Sequence, residues 1–181
     1  MEAIRGGIAD GTVDAIATDH APHAADLKAK PLDAGAPFGI IGLETALGLA
    51  LTKLVDSGVL PVEEVLRKMT EAPARIMAME RWGYSSAIDE GQNANLVLID
   101  PEERWTVDPA SFESRSKNTP FGGWELKGKA KSVLFGGNFV MRDCQVVEGW
   151  AVESPDRGAG KTGTAGARKP IAQAAKAGDA R

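Results

Sequence analysis

The spacing of the apolar residues changes once along this chain, at Gly91, and that change bounds the fold. Before it, Leu43, Ala46, Leu47, Ala50, Leu51, Leu54 and Val55 recur at intervals of three and four, placing one apolar stripe on an α-helix that Gly58 is suited to stop. A second helix is predicted from Pro61, where a missing N–H costs nothing and Glu63 and Glu64 favour the positive end of the dipole. Its buried face is Val62, Val65, Leu66 and Met69. Pro73 marks a third, short helix carrying Ile76 and Met77, because proline is tolerated in a first turn. After Gly91, "NLVLID" (95–100), "RWTVD" (104–108), "SVLFGG" (132–137) and "NFVMRDCQVV" (138–147) are β-rich and punctuated by Pro, Gly and Asn. "GGN" at 136–138 predicts the tight turn of a hairpin, and "TPFGGWE" at 119–125, which lacks the Lys-Ser/Thr ending of a phosphate loop, an ordered connection.

Ahead of the helices, residues 2–9 suit a short helix closed by Asp10-Gly11, and "VDAIAT" (13–18) suits a buried parallel strand, the order of an α/β unit. With 181 residues, 43% of them hydrophobic, the chain is long enough to bury a real core. Cys144 is its one cysteine, which excludes an intrachain disulfide and a thiolate metal cluster. A net charge of −4 with dispersed Lys and Arg gives no basic stripe for nucleic acid. No apolar run approaches the roughly 20 residues of a membrane span, and the first residues lack the pattern of a secretory signal, so a cytoplasmic location is expected. Residues 153–181, rich in Gly, Ala and Lys, are expected to be a disordered tail.

Both histidines of the chain, His20 and His23, follow Asp19 within four residues, at the end of the expected strand. Reactive groups in α/β proteins collect where parallel strands end. A carboxylate there can ligate a divalent metal or accept a proton from water, and a loop histidine can ligate or bind an anion. The same residues also suit a turn former and exposed loop imidazoles, and the spacing alone does not choose. Phe38 and Gly39 suit a glycine turn with Phe packed beneath it, and Glu44 a carboxylate in the first turn of the following helix.

"DGTVDAIATDHAPHA" followed by "KPLDAGAPFGIIGLETAL", and then "EAPARIMAM", "GQNANLVLIDP" and "SKNTPFGGWELKGKAKSVLFGG", resembles the late part of bacterial dihydroorotases, metal-dependent members of the amidohydrolase superfamily. The resemblance covers about residues 8–148. It implies an α/β fold: residues 1–80 as the last strand and helices of a (β/α)8 barrel, and 81–152 as the C-terminal part of a small β-sandwich. It also implies reversible hydrolysis of the cyclic amide of dihydroorotate to carbamoyl aspartate, in pyrimidine synthesis. Asp19 would be a metal ligand and general acid and base, His23 would bind the substrate carboxylate, and the backbone at Phe38 and Gly39 would line the ring; His20 receives no role. The cofactor implied is zinc, one or two ions, most of whose ligands this chain does not contain. The expected partners are therefore the missing N-terminal barrel half, with a homo-oligomer or another pyrimidine-pathway enzyme beside it. Apolar surface along 13–18 and 43–55 is expected to lie uncovered in a lone chain, giving an inactive, aggregating fragment or one rescued by association. A non-catalytic dihydroorotase-like partner, and a hydantoin- or allantoin-cleaving relative, are the alternatives.

Overall fold

A computed structural model describes residues 2–149, and the expected tail at 153–181 lies outside them. The helical half follows the sequence pattern. Helix α1 (Glu2–Ala9) ends in a turn where the Asp10 carboxylate accepts the Thr12 N–H at 2.9 Å, and that bonding holds the Asp10 carboxyl below its usual range. The apolar stripe winds as α3 (Ala46–Ala50), continues as a π-helical turn over Leu51–Val55, and stops at Gly58, whose φ of 68° only glycine adopts readily. Helices α4 (Val62–Met69) and α5 (Glu71–Ile76) follow, the first opening directly after Pro61. Between α1 and α3 lies only the single turn α2 (Ala25–Lys28) and a short 3-10 turn.

The second half is one antiparallel sheet in the order β1-β2-β3-β4. "NLVLID" and "RWTVD" are not separate strands: β1 runs unbroken over Leu96–Thr106 with a register shift between Asp100 and Arg104, where the Asp100 side chain accepts the N–H groups of Glu102 and Glu103. Strand β2 (Glu125–Phe135) turns into β3 (Asn138–Arg142) through Gly136 and Gly137, both at positive φ, the hairpin that "GGN" predicted. A second turn at Asp143-Cys144, also at positive φ, leads to β4 (Gln145–Val146).

Helices and sheet close on each other at two glycines. At Gly48 an added Cβ would meet Trp105 and Leu126 near 3.0 Å, and at Gly128 it would meet Leu51 Cδ1 at 2.1 Å. Around this seam Ala50, Leu51, Leu54 and Val65 form one buried cluster, and Ile41, Val107, Phe112 and Leu126 another. Fully burying each large aliphatic side chain is worth about 1.5–3 kcal/mol. The 43–55 stripe is therefore covered over its later part, contrary to expectation, because β2 lies across it, while Leu43 at its start stays exposed; other exposed large apolar residues include Ile76, Met77, Trp82, Tyr84 and Ile88, together with Val97 and Leu98.

The expected parallel strand at 13–18 does not form. No described segment lies beside it as a strand, so a ladder has no partner; residues 14–24 are irregular and only partly buried. Two bonds from α4 hold it instead: Ile16 N–H donates to the Lys68 carbonyl at 2.9 Å, and the buried Lys68 ammonium to the Val13 carbonyl at 2.5 Å.

Candidate functional site

Two loops lie side by side and antiparallel, residues 18–24 and 36–43. Thr18 is beside Gly42, where an added Cβ would stand 3.0 Å from the Thr18 carbonyl oxygen; Ala21 donates its N–H to Ile40 at 2.9 Å; and His23 reaches Phe38. The approach at the middle needs a glycine: Gly39 has a φ of 103°, and a Cβ there would sit 2.6 Å from that of Ala21.

Asp19 opens the first loop with a φ of 44°, the left-handed region that Asp tolerates better than most residues. Its side chain is exposed and makes no hydrogen bond or ion pair among the described residues. The carboxylate is thus available to a ligand or a proton. His20 turns the other way. Its Nδ1 accepts the backbone N–H groups of Gly42 at 3.1 Å and Leu43 at 3.4 Å, which puts the ring proton on Nε2 and makes this imidazole a tie between the loops. His23 Nε2 lies 2.9 Å from the Phe38 carbonyl oxygen and must donate to it, so the neutral ring keeps only an acceptor at Nδ1.

The reading of Phe38 as a packed residue fails, since its ring is 83% exposed. Three side chains hold the backbone around it. Lys28 Nζ donates to the carbonyls of Pro37 at 2.8 Å and Gly39 at 3.1 Å, and Asn118 Nδ2 donates to Gly39 at 2.8 Å, while the Asn118 carbonyl accepts Ile41 N–H. Glu44 is not a first-turn helix carboxylate, because α3 begins two residues later; its two oxygens accept the N–H groups of Glu113 and Ser114 at 2.8 and 3.0 Å and anchor the loop that carries Asn118. Sequence reasoning missed Lys28, Asn118 and the tie made by His20. The only signal was the presence of hydrogen-bonding residues in loops, since their partners lie up to 79 positions away. A cleft of about 650 Å³ between α2 and residues 115–118 is lined by His23, Lys28, Arg115 and Lys117, but the two lysine ammoniums are spent on backbone carbonyls.

No group of three or more His, Cys, Asp or Glu among the described residues is placed to hold a metal ion. Among them, too, no helix is long and apolar enough to cross a membrane.

The model of the amidohydrolase family matches residues 1–140. The chain is 46% identical over 141 residues to a protein of Chlorobaculum tepidum named dihydroorotase, an alignment covering 78% of this chain and 31% of that one. Among solved structures, a D-hydantoinase (dihydropyrimidinase) from Thermus sp. superposes with a TM-score of 0.72 at 26% identity, over 81% of this chain and 32% of the other. An L-hydantoinase (dihydropyrimidinase) from Arthrobacter aurescens gives 0.71 at 27%, over 80% and 32%. The chain spans about a third of the length of the curated relatives it matches.

Proposed function

This chain belongs to the amidohydrolase family, and from that premise we propose that it is the C-terminal part of a dihydroorotase, which opens the cyclic amide of dihydroorotate to carbamoyl aspartate and re-forms it. The observation that carries this reading is the loop pair: one exposed, unpartnered carboxylate, Asp19, at the head of a loop whose far end, His23, is fastened to the Phe38-Gly39 backbone. Identity of 42–46% to proteins named dihydroorotase favours this substrate over a hydantoin, since the hydantoinase structures stand at 26–27%.

Hydrolysis adds water across the ring C–N bond, so a proton must leave the water and reach the departing nitrogen. Asp19 is the group proposed to carry it, having no competing partner. His23 is proposed to face the substrate carboxylate. Because its Nε2 proton is already given to Phe38, Nδ1 is the ring atom left to donate to that carboxylate. Phe38 and Gly39 are proposed to offer backbone N–H groups to the ring.

The family resemblance implies zinc, but the side chains of the described residues do not by themselves make a metal site; Asp19 is the one ligand proposed here, and the others are assigned to polypeptide matching the part of the relatives that this chain does not span. That polypeptide is the partner we propose.

The test is to combine the chain with the first two thirds of a relative such as the Chlorobaculum tepidum protein and follow dihydroorotate and a hydantoin. Turnover of dihydroorotate that falls by about 10²–10⁴ with Asp19→Ala supports the reading. A preference for hydantoin moves the chain to the hydantoinases, and turnover indifferent to Asp19→Ala makes it a non-catalytic partner.

A further inference from the structure

Three successive peptide groups, Pro37-Phe38, Phe38-Gly39 and Gly39-Ile40, each have their carbonyl bound by a side chain from outside the loop: Lys28, then His23, then Lys28 and Asn118 together. No peptide bond among the described residues is cis, so in each group the N–H points away from its carbonyl. Fixing the carbonyls therefore fixes where the N–H groups of Phe38, Gly39 and Ile40 point. None of these three donors has a partner among the described residues. Carbonyls two residues apart share a side in an extended segment, and here one ammonium reaches those of both Pro37 and Gly39, the latter residue at a φ of 103°.

We propose that Lys28 and Asn118 are positioning residues for substrate: by binding the carbonyls of Pro37 and Gly39 they hold a row of backbone N–H donors open to the carbonyl oxygens of a cyclic amide. The inference rests on the proposed function for its substrate and on the hydrogen bonds alone for its clamp. Neither residue needs to touch the ligand. An ammonium shared by two carbonyls is a charge-assisted contact, stronger than a neutral one, and Asn118 adds a second hold on Gly39 from a loop that Glu44 anchors.

The experiment has two readouts. On the full 181-residue chain, amide hydrogen exchange is followed at Ala21 and Ile41, whose N–H groups close on Ile40 and Asn118. Lys28→Met and Asn118→Asp, which keeps the side-chain shape but removes the donor, should speed exchange there about tenfold while leaving α4 unchanged, and Lys28→Arg should restore most of the protection. In the complemented enzyme the same variants should raise KM for dihydroorotate about tenfold with kcat altered less than about twofold. Unchanged exchange at Ala21 and Ile41 overturns the clamp, whatever the enzyme does. Faster exchange with an unchanged KM overturns the positioning role and leaves a purely structural one. A wild-type complex that binds and turns over no dihydroorotate overturns the function reading and the substrate half of this inference, while the exchange data still judge the clamp.

Discussion

The sheet and the loop pair solve the same problem, satisfying backbone hydrogen bonds, in opposite ways. Strands β1 to β4 bond to one another through backbone groups in ladders that any suitable side chains would permit. The loops at 18–24 and 36–43 share one backbone bond, Ala21 to Ile40, and otherwise depend on His20, His23, Lys28 and Asn118. A ladder loses little when one side chain changes. A loop tied by four side chains changes with each of them, which suits a surface that must fit a ligand.

If that contrast is right, the costliest single change lies on the sheet side, where packing and not hydrogen bonding is at stake. Gly128→Ala places a methyl 2.1 Å from Leu51 Cδ1 at a φ of 91°, and Leu51, 2% exposed, has nowhere to go. Overpacking and left-handed strain together should remove about 2–5 kcal/mol of stability, read as a lower urea midpoint for the whole unit. A loss below about 1 kcal/mol would mean that the helix-sheet seam yields, and the contrast would lose its rigid half. Gly39→Ala creates a comparable clash, 2.6 Å from the Ala21 Cβ at a φ of 103°. There the strain, about 1–3 kcal/mol, should be met by parting the loops, so Ala21 exchange rises while the urea midpoint barely moves. Equal midpoint shifts for the two variants would show that the loops and sheet unfold as one and that the distinction drawn here has no thermodynamic content.

The same contrast explains what the sequence could reveal. Helix α4 was legible because Pro61, the two glutamates and the Val65 face are all local signals, and the hairpin because Gly136 and Gly137 state their own backbone requirement. The 13–18 segment misled for a physical reason: its composition suits burial, but a strand is a relation between two segments, and the neighbour that Ile16 found is the α4 carbonyl of Lys68. At the candidate site, Asp19, His23, Phe38 and Gly39 were singled out through motif resemblance, and the structure places the last three in contact. Lys28 and Asn118 were not, because an ammonium on two carbonyls leaves no periodic or compositional trace.

Among the described residues one ion pair crosses from the sheet to the helical layer, and it sharpens the comparison through its small effect. Lys127 Nζ lies 2.8 Å from Asp56, at the end of the π-helical turn, and 2.9 Å from Glu102 in the irregular part of β1. Its hydrogen bond to Asp56, then that to Glu102, raises the Lys127 pKa above the ordinary 10.5. A raised folded-state value means that the charged lysine stabilises the fold fully below the unfolded pKa and that this contribution is lost as pH rises through the folded one. Wild type should therefore melt slightly above Lys127→Met at neutral pH, and the gap should close only beyond pH 10.5. The Lys131 contact with Glu103 is present in both proteins, so the difference between the two melting curves isolates Lys127. The backbone N–H of Lys127, bonded to Thr52 Oγ1 at 2.8 Å, remains in the methionine variant, so the seam should stay closed. A gap that closed near neutrality would place the titrating group elsewhere, and a gap as large as that of Gly128→Ala would make this ion pair, and not the packing of Leu51, the main bond between the two layers.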